Sequence, residues 1–113
     1  MNISRRPWGN YQILYDGTDC KVKKITVNQG HRLSLQSHQR RKEDWIVVKG
    51  NGLVVLDTRW ISVYPGSKVF IGIGKKHRIK NTGQEDLVFI EVQTGTYFGE
   101  DDITRYEDDY NRT

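Results

Sequence analysis

Gln36, His38 and Glu43 fall within one 21-residue stretch, GHRLSLQSHQRRKEDWIVVKG, bounded by Gly30 and Gly50. An amide oxygen, an imidazole nitrogen and a carboxylate oxygen are donors that Zn²⁺, Mn²⁺ or Fe²⁺ accepts, and a catalytic site leaves coordination positions open for water or substrate. One further imidazole would complete such a set. His31 sits beside a turn glycine and reads as a plain loop residue. His77, in GIGKKHRIKN after Gly72 and Gly74, opens a run that can lie across a barrel from His38. Scattered His, Gln and Glu in polar strands also serve simply as hydrogen-bonding groups. Spacing alone therefore leaves both the metal reading and the structural one open.

The elements that must position these residues are short strands. Turn formers recur at Asp16-Gly17, Asn28-Gln29-Gly30, Lys49-Gly50-Asn51-Gly52, Pro65-Gly66, Gly72-Ile73-Gly74 and Asn81-Thr82-Gly83. Between them run KVKKITV, DWIVV, GLVVLD, WISVY, KVFIGI and LVFIEVQ, and no segment sustains helical periodicity. This pattern predicts an all-β barrel or sandwich. Strand alternation in RLSLQSH groups Gln36 with His38, opposite Leu33 and Leu35, and it groups Glu43 with Trp45 and Val47. In KVKKITV it places Lys21 and Lys23 on the face of Ile25 and Val27, so two ammonium groups can stand near one barrel mouth.

With 113 residues, 35% of them hydrophobic, the chain is expected to form a single domain over 1–113. It holds no apolar run near the ~20 residues of a membrane span, and MNISRRPWGN lacks the apolar region of a secretion signal. A cytoplasmic protein without membrane association is expected. Cys20 is the single cysteine and reads as a small strand residue. Residues 1–99 carry 16 Lys/Arg against 8 Asp/Glu, whereas residues 100–113 carry 2 against 6. A basic body suits nucleic acid or a small anion equally on charge, but no aromatic stripe for stacking bases is evident, so no nucleic-acid partner is expected. The acidic tail, with Ile103 and Tyr106 between its carboxylates, is expected to form one or two helical turns docked on the barrel. Trp8, Trp45 and Trp60 are expected in the core or at a subunit interface.

Two spacings carry a resemblance. Gly30-x5-Gln36-x-His38-x4-Glu43-x6-Gly50 resembles the first cupin motif, with glutamine at its first ligand position. Gly66-x5-Gly72-x-Gly74-x2-His77-x3-Asn81 resembles the second. More closely, RPWG, KVKKITV, RLSLQSH and IEVQTGTYFGEDDITRYEDDYNR are similar to the cupin part of the type II mannose-6-phosphate isomerases, often the C-terminal part of a bifunctional mannose-1-phosphate guanylyltransferase. The resemblance covers almost the whole chain and implies a double-stranded β-helix, or cupin jelly-roll barrel, with a short C-terminal acidic segment. The nucleotidyltransferase part has no counterpart in this sequence. The resemblance implies a divalent metal ion, Zn²⁺ or alternatively Mn²⁺, Co²⁺ or Fe²⁺, on Gln36, His38, Glu43 and His77. It also implies a homodimer and a sugar-phosphate partner.

The implied reaction interconverts mannose 6-phosphate and fructose 6-phosphate through an enediol, feeding GDP-mannose and polysaccharide synthesis. A metal ion can stabilise the charge that develops on the substrate oxygens. Candidates for proton transfer are Glu43, Lys21, Lys23 or a metal-bound hydroxide. The phosphate calls for guanidinium or ammonium groups: Arg105 first, by its resemblance to an arginine of the family's C-terminal signature, then Arg40 and Lys23 or Lys21. Arg40 and Asp44 stand where the family has histidines. These two departures favour the alternative reading, a non-catalytic metal-binding cupin that holds a sugar phosphate or sugar nucleotide.

Overall fold

Residues 2–111 are described by a computed structural model, and among them every regular element is a strand. The eleven strands are β1 (Ile3–Arg6), β2 (Gly9–Asp16), β3 (Cys20–Val27), β4 (Leu35–Ser37), β5 (Arg41–Lys49), β6 (Gly52–Leu56), β7 (Arg59–Val63), β8 (Lys68–Ile71), β9 (His77–Asn81), β10 (Leu87–Gly95) and β11 (Thr104–Glu107). They form a six-stranded sheet, β1-β2-β3-β10-β5-β8, and a five-stranded sheet, β11-β4-β9-β6-β7, with antiparallel pairing throughout. No helix of the described residues is long and apolar enough to cross a membrane.

Alternation explains how each sheet presents one face to the interior. In β5, Arg41, Glu43, Trp45 and Val47 are buried, while Lys42, Asp44, Ile46 and Val48 face out. In β10, Leu87, Phe89, Glu91 and Gln93 point inward in the same way. The apolar members fill one end of the barrel, where the Trp45 and Phe89 rings pack with centroids 4.7 Å apart. The polar members line the other end. The sequence of each strand thus divides the interior into a dry core and a polar chamber.

Motif glycines hold the connections. Gly50 has φ +83°, and a Cβ there would stand 2.5 Å from the Asp86 carbonyl oxygen, so both conformation and space call for glycine. Gly74, at φ +76°, donates its N–H to the His38 carbonyl across 2.7 Å, tying the β8–β9 turn to the β4–β5 loop.

Three expectations need correction. The acidic tail forms a turn followed by strand β11, because its backbone groups bond to β4 at the open edge of the second sheet. The run RLSLQSH forms strand only over Leu35–Ser37, and Ser37 and His38 are buried in succession, so strict alternation stops before His38. Trp60 lies on edge strand β7 and is 73% exposed, so it is outside the core that takes Trp8 and Trp45, and only the interface half of the expectation is left for it.

Asn81 closes the second motif and is almost wholly buried. Its amide donates to the Val27 and Glu85 carbonyls (2.9 and 2.7 Å), and its Oδ1 accepts from the Gly83 N–H (2.9 Å). Asn81→Ala would strand all three partners, and we expect denaturant titration to report a loss of about 2–4 kcal/mol without a change in metal content.

Candidate metal centre and adjoining cavity

The two sheets bring the sequence candidates together from three places. Glu43 comes from β5 of the first sheet, His77 opens β9 of the second, and His38 lies in the loop between β4 and β5. One donor atom from each of His38, Glu43 and His77 lies within 4.8 Å of the others. His38 Nε2 is 3.4 Å from Glu43 Oε2, and His77 Nε2 is 3.9 Å from Glu43 Oε1. Gln36 pairs in register with His77, which puts both side chains on one face of the sheet.

Both imidazoles are set for ligation. His38 Nδ1–H donates to the Asp102 carbonyl (2.6 Å) and His77 Nδ1–H to the Lys75 carbonyl (2.9 Å). A carbonyl can only accept, so the proton sits on Nδ1 and the Nε2 lone pair faces Glu43. Burial, and then the charge of Arg41, pulls the His38 pKa down to about 4; burial lowers that of His77 as well. Two neutral imidazoles with inward Nε2 atoms beside a carboxylate fit a divalent ion of the zinc class.

Glu43 is also held by the chain itself. Arg41 Nε donates to its Oε2 (2.8 Å) and Trp45 Nε1 to its Oε1 (3.0 Å), while Arg41 Nη2 reaches His38 Nε2 at 3.3 Å. Arg41 therefore stands between the ligand cluster and an adjoining cavity of about 70 Å³. That cavity is lined by Lys23, Gln36, Arg41, Glu91, Glu100 and Arg105, among others. Glu91 accepts from Gln93 Nε2 (2.7 Å); burial and the neighbouring Glu43 push its pKa up to about 8.

The sequence candidates divide clearly. His38, Glu43 and His77 converge, Gln36 pairs with His77 across β4 and β9, and Gln36, Lys23 and Arg105 line the adjoining cavity. Lys21 is half-buried and outside the cavity wall. Arg40 is exposed, with its guanidinium 5.0 Å from the Tyr97 ring centroid, and Asp44 is on the outer face of β5. His31 lies in a loop, its Nδ1 2.6 Å from the Tyr110 hydroxyl. Sequence reasoning missed Arg41, Glu91 and Glu100. Stepping by two residues back from Glu43 and forward from Phe89 points to the first two; no comparable signal marks Glu100.

The fold is that of the cupins. A crystal structure of oxalate decarboxylase from Lactobacillus farciminis superposes with a TM-score of 0.81 at 19% identity, covering 93% of this chain and 33% of that one. The Cnp3 cupin domain of Schizosaccharomyces pombe gives 0.78 at 11%, covering 84% and 69%. Capsular polysaccharide assembling protein CapF of Staphylococcus aureus gives 0.80 at 22%, covering 94% and 34%.

Residues 2–108 match the family described as Mannose-6-phosphate isomerase C-terminal, and the chain belongs to that family. It is 47% identical over 108 residues to alginate biosynthesis protein AlgA of Pseudomonas aeruginosa, covering 96% of this chain and 22% of AlgA. It is 46% identical over 108 residues to xanthan biosynthesis protein XanB of Xanthomonas campestris, covering 96% and 23%. A mannose-1-phosphate guanylyltransferase of Salmonella montevideo is 40% identical over 107 residues, covering 95% and 23%. The chain thus spans less than a quarter of the length of these relatives.

Glu91 supplies a pH test for the metal-free protein. Its folded pKa lies above the unfolded value, so the protonated form costs nothing at low pH and stability is lost as pH rises from about 4.5 to about 8. Glu91→Gln removes that loss. Thermal melts should show the variant gaining on the wild type between pH 5 and pH 8.5; a pH-independent difference would contradict the assignment.

Proposed function

We propose that the chain is a metal-dependent aldose–ketose isomerase acting on mannose 6-phosphate and fructose 6-phosphate, in a cytoplasmic route to GDP-mannose and polysaccharide. The observation that carries the proposal is the convergence of His38, His77 and Glu43, with inward-facing Nε2 atoms, beside a cavity lined by Lys23, Arg41 and Arg105. Membership of a family described as mannose-6-phosphate isomerase supports it.

In this reading Gln36, His38, Glu43 and His77 hold the divalent ion, which supplies Lewis-acid stabilisation of substrate oxygens when bound. Lys23 and Arg105 attract and orient the anionic sugar phosphate, and Arg41 adds a third cation whose position is fixed by Glu43. Moving a proton between C2 and C1 needs a group within hydrogen-bond reach of the carbon-bound proton. Glu43, Glu91 and Lys23 are the titratable groups nearest that task; Lys21 is a more remote one. The alternative, a non-catalytic sugar-phosphate binder, drew its support from Arg40 and Asp44. Both are exposed, so the chamber keeps its polar lining whatever stands at those two positions. We extend the proposal to a homodimer through the outer face of β5 and β8. There Asp44 and Lys68 flank the exposed Ile46 and Phe70, which lets a two-fold axis set each charge against its opposite.

The protein, stripped with a chelator and reloaded with Zn²⁺, Mn²⁺ or Co²⁺, should form fructose 6-phosphate from mannose 6-phosphate. Retained sugar-phosphate binding with no turnover under any of these metals would favour the binding reading instead. His38→Ala and His77→Ala should each lower bound metal at least about tenfold by elemental analysis after dialysis; unchanged loading would refute the ligand set.

A further inference from the structure

We propose that Lys23 and Arg41 form an oxyanion subsite and that Glu100 is its built-in occupant, which the phosphate of the substrate displaces. This rests on the sugar-phosphate reading above and names the side chain that controls entry within it.

Lys23 Nζ donates to Glu100 Oε2 at 2.8 Å, and Arg41 Nη1 stands 3.6 Å from the same oxygen. The members of this contact differ sharply in exposure: the Lys23 and Arg41 side chains are 4% and 6% exposed, that of Glu100 is 49%. The cations are fixed inside the barrel. Lys23 is further confined by the Tyr11 ring, 4.3 Å from Nζ, and Arg41 by its bond to Glu43. Glu100 enters from the surface and can leave by rotating its side chain into solvent.

Its carboxylate also leaves donors unused. An ammonium carries three N–H groups and a guanidinium five, and buried donors left unpaired are costly. Arg41 Nη1 is buried and has no hydrogen-bond partner. A single shared carboxylate oxygen satisfies Lys23 and falls short of Arg41. A tetrahedral oxyanion presents more oxygens and more charge, so it can bond both cations at once. Partial burial pushes Glu100 upward in pKa, but Lys23 and then Arg41 outweigh this and hold it ionised below the usual range. The occupant is therefore an anion, matched in sign to the group it yields to.

The backbone need not open for this exchange. Two residues further on, the Asp102 carboxylate accepts from the Gln39 and Arg40 N–H groups (3.1 and 3.0 Å), and its carbonyl holds His38. The segment 96–103, between β10 and β11, stays docked while one side chain swings. Mobile occupancy by a half-exposed acid, set against cations that cannot follow it outward, gives a gate that responds to the charge of the entering group.

Titration calorimetry with inorganic phosphate, in chelator-containing buffer so that phosphate cannot bind through a metal ion, tests this directly. Glu100→Gln keeps the shape and removes the charge, and it should tighten phosphate binding about tenfold. Glu100→Asp keeps the charge but withdraws it by one methylene, and it should tighten binding about threefold. Asp101→Asn makes the same change in net charge at an exposed neighbour that bonds Tyr97, and it should leave affinity unchanged. Unchanged or weaker binding in Glu100→Gln, equal tightening in Asp101→Asn, or no measurable phosphate binding by any of the proteins overturns the proposal. Thermal melts confirm that each variant is folded. The expected pattern without isomerase turnover would reject the catalytic reading and leave the subsite standing.

Discussion

A carboxylate at the centre of a small barrel must be compensated from every side, and Glu43 is the residue on which the chamber is organised. Its oxygens take hydrogen bonds from Arg41 and Trp45 and face the Nε2 atoms of two histidines. Removing a carboxylate from water is expensive unless it is paired and hydrogen-bonded, and breaking such a pair leaves a buried charge behind. The compensating hydrogen bonds come from Glu43's own strand, from Arg41 and Trp45 of β5, while the two Nε2 atoms are brought from the β4–β5 loop and the start of β9. The histidines join the acid only when the two sheets are closed in one register.

A second level of organisation is the traffic of positive charge around that acid. Arg41 links the ligand cluster to the cavity, touching Glu43 and His38 on one side and approaching Glu100 on the other. Lys23 reaches the same cavity from β3. Elsewhere ion pairing serves another purpose: the half-buried Arg32 with Asp109 and the buried Arg78 with Glu107 fasten β11 and the residues after it to the barrel. The excess of acids in the tail and of bases in the body is, at these pairs, a fastening.

The strand punctuation was legible in the sequence because local signals encode it, and spacing offered His38, Glu43 and His77 as candidates, which the fold brings together. Glycines mark turns, period-two alternation marks faces, and Glu43 sits two residues from Trp45 on an inward face. Arg41 was obscured by its neighbours: in Arg40-Arg41-Lys42 three bases look alike, and only the pleat separates the buried one from the two exposed. Glu91 and Gln93 continue the inward face of an apolar strand, where a polar pair gives no sign of being inside until the far end of the barrel is known to be wet. The tail misled for a different reason. Its strand depends on pairing with β4, only three residues long and more than sixty positions earlier, and short-range spacing contains nothing of that.

The bond from the Asp102 carbonyl to His38 makes the tautomer of that imidazole depend on a residue 64 positions later in the chain. Asp102 lies between β10 and β11, and its carboxylate holds the β4–β5 loop through the Gln39 and Arg40 N–H groups. One residue thus both clamps the loop and decides which ring nitrogen of His38 is left bare. Local loosening there would withdraw a donor atom while the hydrophobic core stays closed.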